Sequence, residues 1–357
     1  MAPSAPSINS TMSSRMATAR PSSYRHKSEK RGMTYNIMLV GQAGLGRRTF
    51  LNTLCERAVI ASPDAPNPET ANVADPMKFD TYEVAMEEEG TRISLTVIDT
   101  PGFGDGLDNT SCFKQLQDYI EAQFDEVLVE ESRVKRNRRY RDHRIHVLVY
   151  FIAPTGHSLR ELDIELIRRL GEYVNIIPVI GRADSFTVEE LDAFRANVMR
   201  DIVYYKLPVY NFCWDETDSE ALVENREIMD HIPFSVVTCD EVFDNEYGSV
   251  RIRRYPWGTI EIDDEAQCDF ALLRYILLNS HIADLINYTE DMLYENYRTK
   301  KLEVGGYGEN DEEEDEDEED QALGAAKKQD SKSKAAAIAD ADDGGDVLGK
   351  FDSGFDN

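Results

Sequence analysis

The sequence predicts an α/β fold, a mostly parallel sheet with helices on both faces. Three observations predict it. Short runs rich in β-branched residues alternate with segments of helical periodicity, the pattern that puts crossover helices on a parallel sheet. One of the first runs leads directly into Gly41-Gln42-Ala43-Gly44-Leu45-Gly46-Arg47-Arg48-Thr49, which has the strand–loop–helix order of a phosphate-binding loop. Two further runs flank Glu87-Glu88-Glu89-Gly90, a turn signal that reads as an antiparallel hairpin at the sheet edge.

Taken in order, Tyr35 to Val40 reads as the strand before the glycine loop, and Thr49 to Leu54 as the start of the helix after it. Asp80 to Met86 and Ile93 to Ile98 form the hairpin. Ile145 to Phe151, Asn175 to Ile180 and Phe234 to Val237 are short, wholly apolar or β-rich runs that suit strands buried on both faces. Phe113 to Glu130, Leu159 to Leu170 and Val188 to Tyr204 carry the helical patterns between them.

The 357 residues are 41% hydrophobic, enough for a sizeable core, and hold no apolar run long enough to span a membrane. Residues 1–32 read as a disordered arm, rich in Ser, Ala and Pro, that ends in the basic segment Arg25, Lys27, Lys30 and Arg31. Residues 33–302 read as the globular part. Residues 303–357 carry 19 acidic residues against five lysines, about half of the formal net charge of −29. Asp311 to Asp320 is an unbroken acidic run that repels itself and is expected to stay disordered. The acidity elsewhere argues against nucleic-acid binding. Cys55, Cys112, Cys213, Cys239 and Cys268 show neither zinc nor disulfide spacing, so reduced thiols are expected.

In the glycine loop, backbone N–H groups are expected to curl round a phosphate at a helix N-terminus. Arg47 stands where a lysine usually reaches the β- and γ-phosphates, and Arg48 where a Ser or Thr hydroxyl usually binds Mg²⁺. A guanidinium offers five donors and no acceptor, so Arg48 cannot ligate a cation. Thr49 follows, rotated by about 100° round the helix. Phosphate binding without catalysis is therefore expected, with no catalytic residue and no metal ligand. A second motif, Asp99-Thr100-Pro101-Gly102, follows a strand; in phosphate-loop enzymes such an Asp orders Mg²⁺ and such a Gly senses the γ-phosphate. A third, Gly181-Arg182-Ala183-Asp184, has the form of a guanine-reading loop. Its Asp would accept from guanine N1–H and the 2-amino group, and the stem and planar head of Arg182 would stack along the base.

With these motifs stand Phe103-Gly104-Asp105, Arg136-Asn137, Tyr150 to Leu159, Arg254-Tyr255-Pro256-Trp257-Gly258 and Leu293 to Arg298. Together they resemble the septins, and specifically a fungal septin with a degenerate phosphate loop of the kind found at rod ends. The resemblance covers about Met33 to Leu302. It implies a GTPase-like sheet plus a septin-unique C-terminal element at about 250–302, and a guanine nucleotide, GTP or GDP, used structurally, with Mg²⁺ in doubt. It implies that Thr238 lies by the base, that Arg253 covers it, and that His157 and Trp257 face a neighbour across the nucleotide side. A second interface is implied around Tyr35 and the Asp284 to Arg298 helix. The implied partners are other septins in hetero-oligomeric rods and filaments, with Arg25, Lys27, Lys30 and Arg31 meeting anionic phosphoinositides. The implied location is a cytoplasmic septin ring at the cell cortex of a division site, bud neck or septum. Two departures stand out: the switch I threonine falls on Pro76, with Thr70 and Thr81 displaced from it, and no sustained heptads follow Arg298. The alternatives are an active, cycling GTPase and a nucleotide-free assembly subunit.

Overall fold

A computed structural model of the chain describes residues 32–60, 77–88, 90–101, 103–104, 106, 109–135, 137, 140–212, 219–239, 241–245, 248–264 and 267–303. The chain divides into two units, 1–298 and 299–357; of the second, only 299–303 are described, as the end of the last helix. The basic arm and the acidic tail lie outside the described residues.

The main sheet has six strands in the order β2-β3-β1-β4-β5-β6. These are β1 (Met33–Gly41), β2 (Asp80–Glu88), β3 (Thr91–Asp99), β4 (Val147–Ile152), β5 (Asn175–Gly181) and β6 (Phe234–Val236). All neighbours run parallel except β2, which pairs antiparallel with β3 as the hairpin at the edge. Alternation along β1 divides the core in two. Tyr35, Ile37 and Leu39 point to one face, which is closed by Phe50, Leu51 and Leu54 of α1 (Arg47–Leu54) and by Phe270 and Leu273 of α6 (Phe270–Tyr275). Met38 and Val40 point to the other. There they meet Ile120 and Phe124 of α2 (Thr110–Ser132), Leu166 and Leu170 of α3 (Glu161–Leu170), and Phe194 and Val198 of α4 (Val188–Tyr204). Burial on both faces explains why the central strands read as unbroken apolar runs.

Beyond the sheet lie α5 (Ser219–Asp230) and a three-stranded antiparallel meander, β7 (Val242–Asn245), β8 (Gly248–Tyr255) and β9 (Gly258–Glu261). Pro256-Trp257 forms the tight turn between β8 and β9, with Tyr255 paired to Gly258. After α6 the chain continues helically through α7 (Ile282–Tyr288) to α8 (Glu295–Glu303), with wide π-type turns at Ile276–Ser280 and Thr289–Tyr294. One expectation fails here. Tyr35 is fully buried, its ring stacked 5.7 Å from that of His146. It is a core residue, because its position on β1 faces the helices on that side and not solvent.

Candidate functional site: a phosphate loop held by its own arginines

The C-terminal ends of β1, β3 and β5 bring the three motifs together. Gly44 and Gly46 take φ of 81° and 90°, left-handed values that L side chains rarely adopt. A Cβ on Gly46 would come within 2.7 Å of Thr238 Oγ1. Thr238 therefore lies against the loop. Gln42 is tied down on both sides: its Nε2 donates to Gly104 O at 2.7 Å, and Arg160 donates to its Oε1. Arg160 is itself fixed by Asp163, whose Oδ1 also accepts from the Tyr150 hydroxyl at 2.5 Å. Ala43 and Gly44 are exposed at the tip of the loop, Leu45 is buried beneath it, and Thr49 is half-buried.

The helix begins two residues earlier than the pattern suggests, so Arg47 and Arg48 are its first two residues. Both fold back onto Asp99. Arg47, buried, places Nε 3.6 Å from Asp99 Oδ1 and donates through Nη1 to Thr100 O at 2.7 Å. Arg48 donates through Nε to Asp99 Oδ2 at 3.2 Å. The Asp99 side chain is only 1% exposed. A buried carboxylate needs compensating charge, and here two guanidiniums supply it. Each occupies a position from which the usual lysine or hydroxyl would serve phosphate or metal. Mg²⁺ does not fit this set: although Asp99 Oδ1 accepts no hydrogen bond, the carboxylate is ion-paired on both oxygens by Arg47 and Arg48, and Arg48 adds a positive charge and no ligand.

The guanine end fits its ligand better. Asp184 is 5% exposed, and its Oδ1 is buried with no hydrogen-bond partner, the condition of an acceptor that awaits a base's N–H donors. Arg253 reaches over from β8, with Nε 3.7 Å from Asp184 Oδ2 and Nη1 donating to Thr238 O at 3.2 Å. Asp184, Arg253 and Thr238 thus converge. Arg182 has a left-handed φ of 53° and an exposed side chain. Gly102, Thr70 and Pro76 lie outside the described residues. Thr81 sits in β2, paired opposite Ile98.

At the β8–β9 turn, Trp257 is 81% exposed and stacks on Tyr255 at 5.0 Å and 8° between planes. His157 is exposed. From the loop before β4, Arg133 pairs with Glu130 at 3.1 Å and Arg141 with Glu83 at 3.4 Å, so both find acids within the chain. Sequence reasoning missed Asp80 and the clamp on the far end of α1. There Arg251 donates to Thr53 O at 2.9 Å and Arg274 to Leu54 O at 3.4 Å, capping carbonyls that have no partner inside the helix. No signal in the sequence marks those two arginines as α1's caps.

A glycine loop at a helix N-terminus, with aspartates whose side chains are buried at the end of β3 and after β5 of this sheet, defines a GTPase-like fold. The comparisons narrow the class to one family. The family model for Septin matches residues 31–311. The "Septin homolog spn3" of Schizosaccharomyces pombe is 48% identical over 281 residues, covering 78% of this chain and 75% of that protein. "Cell division control protein 11" of Saccharomyces cerevisiae is 44% identical, covering 78% and 68%. The crystal structure of Cdc11 from Saccharomyces cerevisiae matches with a TM-score of 0.51 and 38% identity, over 75% of this chain and 99% of that one. That of the septin GTPase domain from Chlamydomonas reinhardtii gives 0.59 and 25% over the same shares. The chain belongs to the septin family, and its fungal relatives carry names from septation and cell division.

Proposed function

We propose that this chain is an assembling septin subunit that uses its nucleotide site structurally and does not turn GTP over. The capture of Asp99 by Arg47 and Arg48 carries the reading. The γ-phosphate and metal end of the site is filled by the protein's own cations, while Asp184, Arg253 and Thr238 keep the shape of a guanine pocket. GDP or GTP bound there would be held by loop backbone N–H groups and the base-reading Asp184, without Mg²⁺.

The exposed Trp257 on its Tyr255 platform, with His157 exposed nearby in sequence to the loop network, suits the nucleotide-side contact with another septin. Rods and filaments at the cortex of the division site follow from such contacts, and Arg25, Lys27, Lys30 and Arg31 are suited to anionic phosphoinositide headgroups there. A nucleotide-free assembly subunit is the second reading, favoured because Asp99 is already neutralised within the chain. An actively cycling GTPase is the reading least in keeping with Arg48.

The test is assembly in the absence of turnover. Mixed with partner septins in EDTA, the protein is expected to enter hetero-oligomers resolved by analytical ultracentrifugation. A chain that stays monomeric with those partners, in every nucleotide state, is not an assembly subunit. Nucleotide released on heat denaturation separates the two readings: GDP or GTP for the first, none for the second.

A further inference from the structure

Asp80 stands directly opposite Asp99 in the β2–β3 ladder. Like charges in that position repel. Arg48 lies between them, with Nε 3.2 Å from Asp99 Oδ2 and Nη2 3.8 Å from Asp80 Oδ2. The second leg is longer and half-exposed, so it is the weaker one. On the far side of the carboxylate, Arg47 holds Oδ1 and the Thr100 carbonyl.

The placement is costly without Asp99. Two cations occupy the first turn of α1, which holds no acidic residue, and a cation there opposes the helix dipole. Counted together, Arg47, Arg48, Asp80 and Asp99 are neutral. A divalent cation added to this set would leave two uncompensated positive charges. Removing the Arg48 guanidinium leaves a net negative charge and an open position beside a buried carboxylate, the surroundings a small hard cation prefers.

We propose that Arg48 is a built-in replacement for the Mg²⁺ of metal-using phosphate loops, a covalently attached cation that ties Asp99 to Asp80 across the β2–β3 ladder, so that Asp99 serves as the arginine's counter-ion. The inference rests on the reading of the site as non-catalytic, but its test involves no nucleotide and no partner.

The test is thermal unfolding of the full-length, nucleotide-stripped protein in EDTA and in millimolar MgCl₂. The wild type is expected to melt at the same temperature in both, within about 1 °C, whereas Arg48→Ser melts roughly 2–6 °C lower in EDTA. MgCl₂ restores at least half of that loss, and adding Asp99→Asn to Arg48→Ser removes the restoration. Arg48→Lys, which keeps the charge, remains indifferent to Mg²⁺. A wild type stabilised by Mg²⁺, an Arg48→Ser variant as stable as wild type in EDTA, or one that Mg²⁺ fails to rescue would overturn the proposal. If Arg48→Ser does not fold, the wild type and Arg48→Lys decide it: a Mg²⁺ response in either rejects it, and indifference in both upholds it. Failure here leaves assembly with partner septins untouched, so the two readings fail separately.

Discussion

Trp257→Ala separates interface from core more sharply than any other single change. The indole is 81% exposed, and its one aromatic neighbour among the described residues is Tyr255, stacked at 5.0 Å. Within the monomer the substitution removes little more than that stack, about 0.5–1.5 kcal/mol. Against a partner the same ring is worth more. An aromatic side chain buries 150–250 Å², so roughly 150–200 Å² remain for an interface, or about 4–5 kcal/mol at ~25 cal/mol/Å². Ordering a side chain subtracts about 0.5–1.5 kcal/mol, and the Tyr255 stack has already met part of that cost. A net of at least ~2 kcal/mol follows, a weakening of about 30-fold in Kd. Sedimentation velocity on mixtures with the septin partners measures it, with thermal unfolding of the isolated chain as the control. Unchanged assembly would show that this face is unused. Loss of the folded monomer would show that Trp257 is structural, and either result refutes the reasoning.

Other perturbations have equally definite outcomes. His146 and His281 are buried, and desolvation pushes each pKa down to about 4. The unfolded chain therefore takes up protons that the folded one refuses as pH falls from about 6.5 towards 4, and stability should drop by up to ~2.7 kcal/mol per pH unit near pH 5 for the two together; a flat urea-midpoint profile from pH 7 to pH 4.5 would contradict this. Asp269 is buried, which alone raises its pKa, but His231, Arg195 and Ser235 outweigh burial and hold the carboxyl low. Asp269→Ala leaves those groups unpaired and should cost about 3–5 kcal/mol in denaturant titrations. Gly46→Ala meets a φ of 90° and Thr238 Oγ1 at 2.7 Å, so it should destabilise by at least ~1–2 kcal/mol and empty any bound nucleotide. Replacing Arg25, Lys27, Lys30 and Arg31 by Ala should remove about 1 kcal/mol per residue of binding to phosphoinositide vesicles at low salt, read by co-sedimentation.

Elements were legible where one physical signal dominated. The helix Val188–Tyr204 was bounded at both ends as expected, helped by the Thr187–Glu190 capping box. The hairpin and the parallel strands followed from apolar runs bracketed by turn residues. The β7–β9 meander was not legible, because β7 and β9 are only four residues long and β8 carries three arginines; only its β8–β9 turn carried a motif. Tyr35 was misplaced because a resemblance gives position along the chain, while burial depends on which face of β1 meets the helices. At the site, the identities of Arg47 and Arg48 announced a lost metal ligand. Their shared grip on Asp99 emerges only from the packing of α1 beside the end of β3, 51 residues from Arg48 in sequence, while the place of Asp80 opposite Asp99 depends on the register of a hairpin whose turn was legible but whose exact pairing was not.

The most direct measurement is phosphate release from Mg²⁺–GTP under single-turnover conditions, with protein in excess over nucleotide. With Asp99 held by two arginines and no hydroxyl at position 48, release should not exceed that in buffer alone, with or without partner septins. Release that depends on Mg²⁺ and accounts for the bound GTP would contradict a structural use of the site.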